Sequence, residues 1–341
     1  MVTKLTTVGW ETANGNLLGR WSNGGDRVNR GDEIKVASEV AVDTLAGDDY
    51  IIAGSEFGKV GVGIFNRGTI KTNHGHDSVI GSIKSNFNAT GISNFRGTIN
   101  TGKGNDIVSG IALEAKNQST GIINSGTIKT EKGNDIVSGY VRGASCIGIH
   151  NYGAIKTGLG EDLVLGNARG ASAAGIRNVL NGKIDTEDGD DLIRGIGSNL
   201  GISNFGTIET GSGNDFVIGS VSGEVEGSGT GISNSGTIKT EDGNDTVDAF
   251  TGGFSGGFNS LGTIDLGQGD DIIRGFGEQI VNGGKDFDTA ELGIDYDQTL
   301  ISLGSSFDIQ IGDMSFTDVE RFVFNDIAYS LQDLQLATTT I

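Results

Sequence analysis

One nine-residue stretch constrains this chain more than any other feature: Gly211-Ser212-Gly213-Asn214-Asp215-Phe216-Val217-Ile218-Gly219. Near-copies run from Gly102 to Gly110, Glu131 to Gly139, Gly158 to Gly166 and Gly267 to Gly275. With the aspartate as register, the series is Asp49, Asp77, Asp106, Asp135, Asp162, Asp191, Asp215, Asp245 and Asp271, spaced by 24 to 30 residues. A glycine precedes each aspartate by two places, among them Gly47, Gly104, Gly133, Gly160, Gly189, Gly213, Gly243 and Gly269, and Val or Ile follows each by two. A period of this length marks supersecondary units that bury their apolar face only by stacking on one another.

Each unit carries three strand-like pieces. One starts at the aspartate, as in Asp106-Ile107-Val108. The next is Gly-Ile-x-Asn, as in Gly63-Ile64-Phe65-Asn66 and again from Gly91, Gly121, Gly148, Gly175, Gly201 and Gly231. The third is Gly-Thr-Ile-x-Thr, as in Gly126 to Thr130. In every piece the recurring residues lie two apart, so they share one face of a strand, and we assign that face to the interior. Three short strands and three corners in about 28 residues make one coil of a three-sided parallel β-helix. About nine coils, at roughly 4.8 Å each, give a rod on the order of 40 Å long. Like residues then form columns: Ile70, Ile99 and Ile128 in the core, Val79, Val108 and Val137 beside them, and an amide ladder at one corner from Asn66, Asn94, Asn124, Asn151, Asn178, Asn204 and Asn234.

The period runs from about residue 45 to 275. Residues 1–44 hold Trp10 and Trp21 and read as an N-terminal cap, since an uncovered first coil leaves a sheet edge open. Residues 276–341 read as a β-rich C-terminal cap that opens on a degenerate turn, Gly283 to Ala290, with Asp288 as a tenth aspartate. The 60 glycines in 341 residues recur at fixed places, and proline is absent, as a backbone committed to ladders requires. A formal charge of −20 excludes nucleic acid as a partner and favours cations. The single cysteine, Cys146, precludes an internal disulfide, and no apolar run is long enough to span a bilayer. The N-terminus lacks the apolar core of a secretory signal peptide.

Stacking brings the aspartates into single file. Neighbouring carboxylates roughly 4.8 Å apart repel by about 0.9 kcal/mol in water and about 3.5 kcal/mol at an effective dielectric of 20. Summed over the row, this rivals the ~5–15 kcal/mol by which a domain is stable. Alternate protonation is one escape and a column of divalent ions is the simpler one. Ca²⁺ accepts carboxylate and carbonyl oxygens in flexible geometry, whereas Mg²⁺ holds its waters and Zn²⁺ lacks ligands in a chain with one Cys and three His. The ten aspartates and the eight turn glycines named above are therefore the candidate metal site.

The turns resemble the RTX (haemolysin-type) repeat G-G-x-G-x-D-x-U-x. Thr101-Gly102-Lys103-Gly104-Asn105-Asp106-Ile107-Val108-Ser109 matches except at its first position, and Glu131, Glu187 and Glu241 replace the second glycine elsewhere. The resemblance implies Ca²⁺ held between coils by turn carbonyls and the aspartate. Because such a turn comes once per coil, with autotransporter-like Gly-Ile-x-Asn and Gly-Thr-Ile units between, it implies one row of ions on a three-sided helix rather than a two-sided roll. The segment from Gly283, with Asp318 to Asp326 and the Thr-rich end, is similar to the C-terminal regions of RTX proteins exported by type I secretion. It implies a secreted, extracellular protein that folds on meeting calcium, with a structural, surface or adhesion role and a cell-surface component or polysaccharide as its partner.

Two other functions were weighed. Parallel β-helices host polysaccharide lyases and epimerases, but such a site needs a base beside acids on one face. Arg194 and Arg274 follow the aspartate strand in only two coils, so no catalytic residue is named. An ice-binding face needs flat threonine arrays, and the outward Thr69, Thr98, Thr127, Thr207 and Thr237 lie beside a charged, irregular column.

Overall fold

In the computed structural model, residues 24, 27–30, 33–58, 61–85, 87–115, 118–222, 229–250, 257–304 and 308–339 are described. Trp10, Trp21, Phe307 and the terminal Ile341 lie outside them. The chain winds into a three-sided parallel β-solenoid whose sheets contain thirteen, nine and thirteen strands among the described residues. The aspartate sheet is built from pieces such as Ile107–Ala115, the asparagine sheet from pieces such as Ser119–Asn124, and the threonine sheet from pieces such as Thr127–Lys129. Register is one repeat per coil: Val108 pairs with Val137, Asn124 with Asn151, and Ile128 with Ile155.

Inward and outward residues alternate as the period of two requires. Ile70, Ile99, Ile128, Val79, Val108 and Val137 are fully buried, as the sequence predicts. The stack also starts earlier than the repeat is legible. Arg27–Arg30, Ile34–Val36 and Ala41–Asp43 pair in parallel with the three strands of the following coil. At the far end the asparagine sheet stops at Phe258–Asn259. The other two sheets continue through Gln279–Lys285 and Thr289–Glu291 and then turn antiparallel. A helix, Leu331–Thr339, closes this end, with Leu334 buried against the core that holds Phe316 and Phe322.

Many glycines do not serve turns. Gly110, Gly139 and Gly166 occupy inward positions of the aspartate sheet and face Gly121, Gly148 and Gly175 of the asparagine sheet. A Cβ added to Gly139 would lie 2.0 Å from the Gly148 carbonyl oxygen. Two sheets thus touch backbone to backbone along a seam of glycines, with the small Ala53 and Ala249 at the same register near its two ends. The seam divides the interior. The main core lies on one side, and a small one of Ile83, Ala89, Ala112, Val141, Cys146, Ala168 and Ala173 lies on the other. Cys146 is a buried free thiol there.

Candidate metal centre

The aspartate corner joins the threonine sheet to the aspartate sheet. Its turn needs two unusual backbone conformations. The glycine two places before each aspartate has φ between 123° and 149° from Gly47 to Gly269, including Gly75, a region essentially closed to other residues. A Cβ at Gly133 would lie 2.0 Å from the Gly104 carbonyl oxygen. Two places earlier the backbone is left-handed. There Gly102, Gly158, Gly211 and Gly267 alternate with Glu131, Glu187 and Glu241, whose φ values are 67° to 74°. The alternation has a steric cause: the carbonyl of each glutamate points at the α-carbon of the next coil, where a Cβ would sit 1.7–1.8 Å away. The glutamate side chains leave the corner, and Glu131 meets Lys129 at 3.3 Å.

The corner brings all ten predicted aspartates into one buried row, each at most 3% exposed. Each carboxylate from Asp77 onward takes one hydrogen bond from the preceding member of the row. The Asp106 N–H donates to Asp135 Oδ1 at 2.7 Å, the Asp135 N–H to Asp162 Oδ1 at 2.7 Å, and so on from Asp49 to Asp288. Glu320, which the repeat does not foretell, ends the row by accepting the Asp288 N–H at 2.7 Å. At the other end Thr44 donates its hydroxyl to Asp49 Oδ2 at 2.6 Å.

The second oxygen is different. Oδ2 of Asp77, Asp106, Asp135, Asp162, Asp191, Asp215, Asp245, Asp271 and Asp288 is buried with no hydrogen-bond partner. Burial therefore opposes ionisation, and the backbone donors and the threonine hydroxyls beside most of these carboxylates offset it only in part. Asp106, Asp135, Asp191, Asp245 and Asp288 are pushed up to about 7, Asp162 to about 6 and Asp271 to about 8. Asp77 and Asp215 are raised for the same reason.

The remaining oxygens of the corner come from a column that the sequence places inside without giving it a role. Thr72, Thr101, Thr130, Thr157, Thr186, Thr210 and Thr240 are fully buried, five places before their aspartates. Most donate to a backbone carbonyl of the next coil, as Thr130 does to Thr157 at 3.0 Å. On the outer side of the turn a second ladder runs the opposite way. The Asn134 N–H donates to Asn105 Oδ1 at 3.0 Å and the Asn244 N–H to Asn214 Oδ1 at 3.0 Å. Asn or Asp before the metal-candidate aspartate is the sequence signal for this ladder.

No group of three or more His, Cys, Asp or Glu converges among the described residues. The donors are instead hard oxygens supplied once per coil: an orphan carboxylate oxygen, a threonine hydroxyl and glycyl carbonyls. That set fits Ca²⁺ and suits neither Zn²⁺ nor a redox metal. The turn glycines contribute by conformation and close approach, which the sequence reading did not separate from ligation.

No family model matches the chain, and no curated protein matches it. Among solved structures, the chain is similar to that described as the "X-ray crystal structure of a hyperactive, Ca2+-dependent, beta-helical antifreeze protein from an Antarctic bacterium". The identity is 17%, 93% of each chain is covered and the TM-score is 0.46. A likeness at that level has no bearing on what this chain binds. No helix among the described residues is long and apolar enough to cross a membrane.

Proposed function

We propose that the chain is a calcium-binding β-solenoid of the RTX kind, secreted by a type I route and folded by Ca²⁺ after export. The observation that carries the reading is the row of buried Oδ2 atoms without partners. A buried anionic oxygen left unpaired is costly, and a divalent ion set between successive coils relieves several of them at once. Asp49 to Asp288 would hold the ions, with turn carbonyls and threonine hydroxyls completing the shells. Calcium supplies positive charge between the carboxylates and nothing else is asked of it. The chain supplies the spacing, the burial and the hydrogen bond that fixes each Oδ1.

Folding is then coupled to the ion, because the aligned row exists only in the folded chain. Residues 276–341 serve as the C-terminal cap, and the segment from Gly283 carries the export signal. An acidic rod with its like residues set out in columns suits a surface, matrix or adhesion element. Native mass spectrometry of chelator-treated chain titrated with Ca²⁺ tests the site, with several ions per chain expected. Circular dichroism in the same titration tests the coupling. Full β signal in chelator at neutral pH, together with no bound ion at millimolar Ca²⁺, would sink both.

A further inference from the structure

Charge on this molecule is segregated. From Gly61 to Gly262, neither the strands of the asparagine sheet nor the corner that follows them contains an Asp or Glu, in a chain of 44 acids. Arg67, Arg96 and Arg177 lie there instead, and none pairs with a carboxylate among the described residues.

The same corner carries a second pattern. Its first position forms one column fixed by backbone hydrogen bonds to the preceding coil. In chain order the column reads Arg67, then Phe95, Ser125, Tyr152, Val179, Phe205 and Ser235. Aromatic and small residues alternate. The aromatic side chains are 42%, 47% and 47% exposed and are therefore available to a ligand. They recur every second coil, at roughly 9.6 Å, twice the strand spacing. The Arg67 and Arg96 guanidinium groups lie over the Phe95 ring, 5.7 and 5.5 Å from its centre, and set positive charge there, while His150 packs tilted beside Tyr152 at 4.3 Å, so the exposed parts of these rings are what a ligand meets.

We propose that this corner is a binding stripe for an extended, acidic β-1,4-linked polysaccharide, a polyuronate. In such a polymer each pyranose advances by close to one strand spacing. Successive rings are flipped, so the same apolar sugar face returns at every second residue. Phe95, Tyr152 and Phe205 meet those faces, Ser125 leaves room for the sugar between the first two, and the longer corner that opens at Val179 presents Leu180, 72% exposed, to the next one. The arginines and the missing acids select uronate carboxylates over neutral glycans. The stripe lies at a different corner from the aspartate row, so it goes beyond the calcium reading and does not need it.

Calorimetry on the full chain in calcium buffer, with a β-1,4-mannuronate octamer and with cellohexaose, tests the proposal. The octamer is expected to bind, with cellohexaose weaker by at least tenfold. Tyr152→Ala and Phe205→Ala should each weaken the octamer about tenfold, the scale of one aromatic contact. Arg177→Ala should do likewise, whereas Lys239→Ala on the threonine sheet should not. Circular dichroism confirms that each variant is folded, and calcium stoichiometry on the same samples reports separately on the ion row. No octamer binding by folded protein, unchanged binding in the Tyr152→Ala/Phe205→Ala double variant, or equal affinity for cellohexaose overturns it.

Discussion

Two corners of this solenoid stack one polar residue per coil, and they solve burial in opposite ways. In the asparagine corner each amide donates to the next amide oxygen, as Asn124 does to Asn151 and Asn151 to Asn178, at 2.9 Å. The second N–H reaches a backbone carbonyl, as from Asn124 to Ala154 at 2.9 Å. Gln279 ends the ladder by accepting from Asn234 at 3.0 Å. An amide carries donor and acceptor together, so the column satisfies itself. A carboxylate has no donor when ionised, so the aspartate column can satisfy only one oxygen per coil from the backbone. Identical stacking thus yields a closed ladder in one place and a row of open valences in the other.

The largest way to break the comparison is to remove the ion. One site filled at about 100 times its Kd adds about 2.7 kcal/mol, so several sites account for a whole domain's ~5–15 kcal/mol. Chelation at pH 7.5 is expected to unfold the calcium-bound chain cooperatively, as followed by far-UV circular dichroism, and Ca²⁺ should restore it. A Tm unmoved by chelator would mean that the two corners are equally self-sufficient.

Acid should separate them next. The row carboxylates have folded-state pKa values raised to about 6 to 8, above the ~3.9 of an unfolded aspartate. Stability from such groups is fully present below the unfolded value and is lost as pH rises through the folded one. Without calcium, urea midpoints should therefore be highest near pH 4 and fall toward pH 8. With saturating calcium the trend should reverse, because protons compete with the ion.

Exchanging the residues sharpens the point. Asn151→Asp puts an unpaired carboxylate into the closed ladder and should cost about 3–5 kcal/mol at neutral pH, measured by urea unfolding with calcium present. Asp135→Asn gives the open row a donor. It should lower calcium stoichiometry by one or two and raise calcium-free stability by about 1–3 kcal/mol. Smallest is Glu131→Gly, which relieves a left-handed residue at φ 74°. Loss of the Lys129 ion pair and of the Asn100 hydrogen bond at 3.0 Å offsets that relief, so the change should stay within about 0.5 kcal/mol in the same assay.

Much of this was legible because columns repeat. The period of two placed Ile128, Asn124, Thr130 and Asp135 inside, and all four are buried. The first coil was hidden because Arg27–Arg30 and Ala41–Asp43 keep the pairing but not the motif, which belongs to corners rather than strands. Glu320 was hidden because it reaches the row from a segment that has left the repeat. The seam glycines were hidden, since composition cannot distinguish a glycine that bends the chain from one that lets another strand come near. The left-handed glutamates stand where the repeat has its second glycine, and that substitution alone does not say whether the backbone there keeps its positive φ.

That seam sets the molecule's freedom to change. Where Gly139 lies against Gly148, the distance between two walls is fixed by main-chain atoms, and no choice of side chain can alter it. Growth is open only lengthwise. Coils stack along the axis like beads on a string, while the wall-to-wall width at the seam stays where the glycines put it.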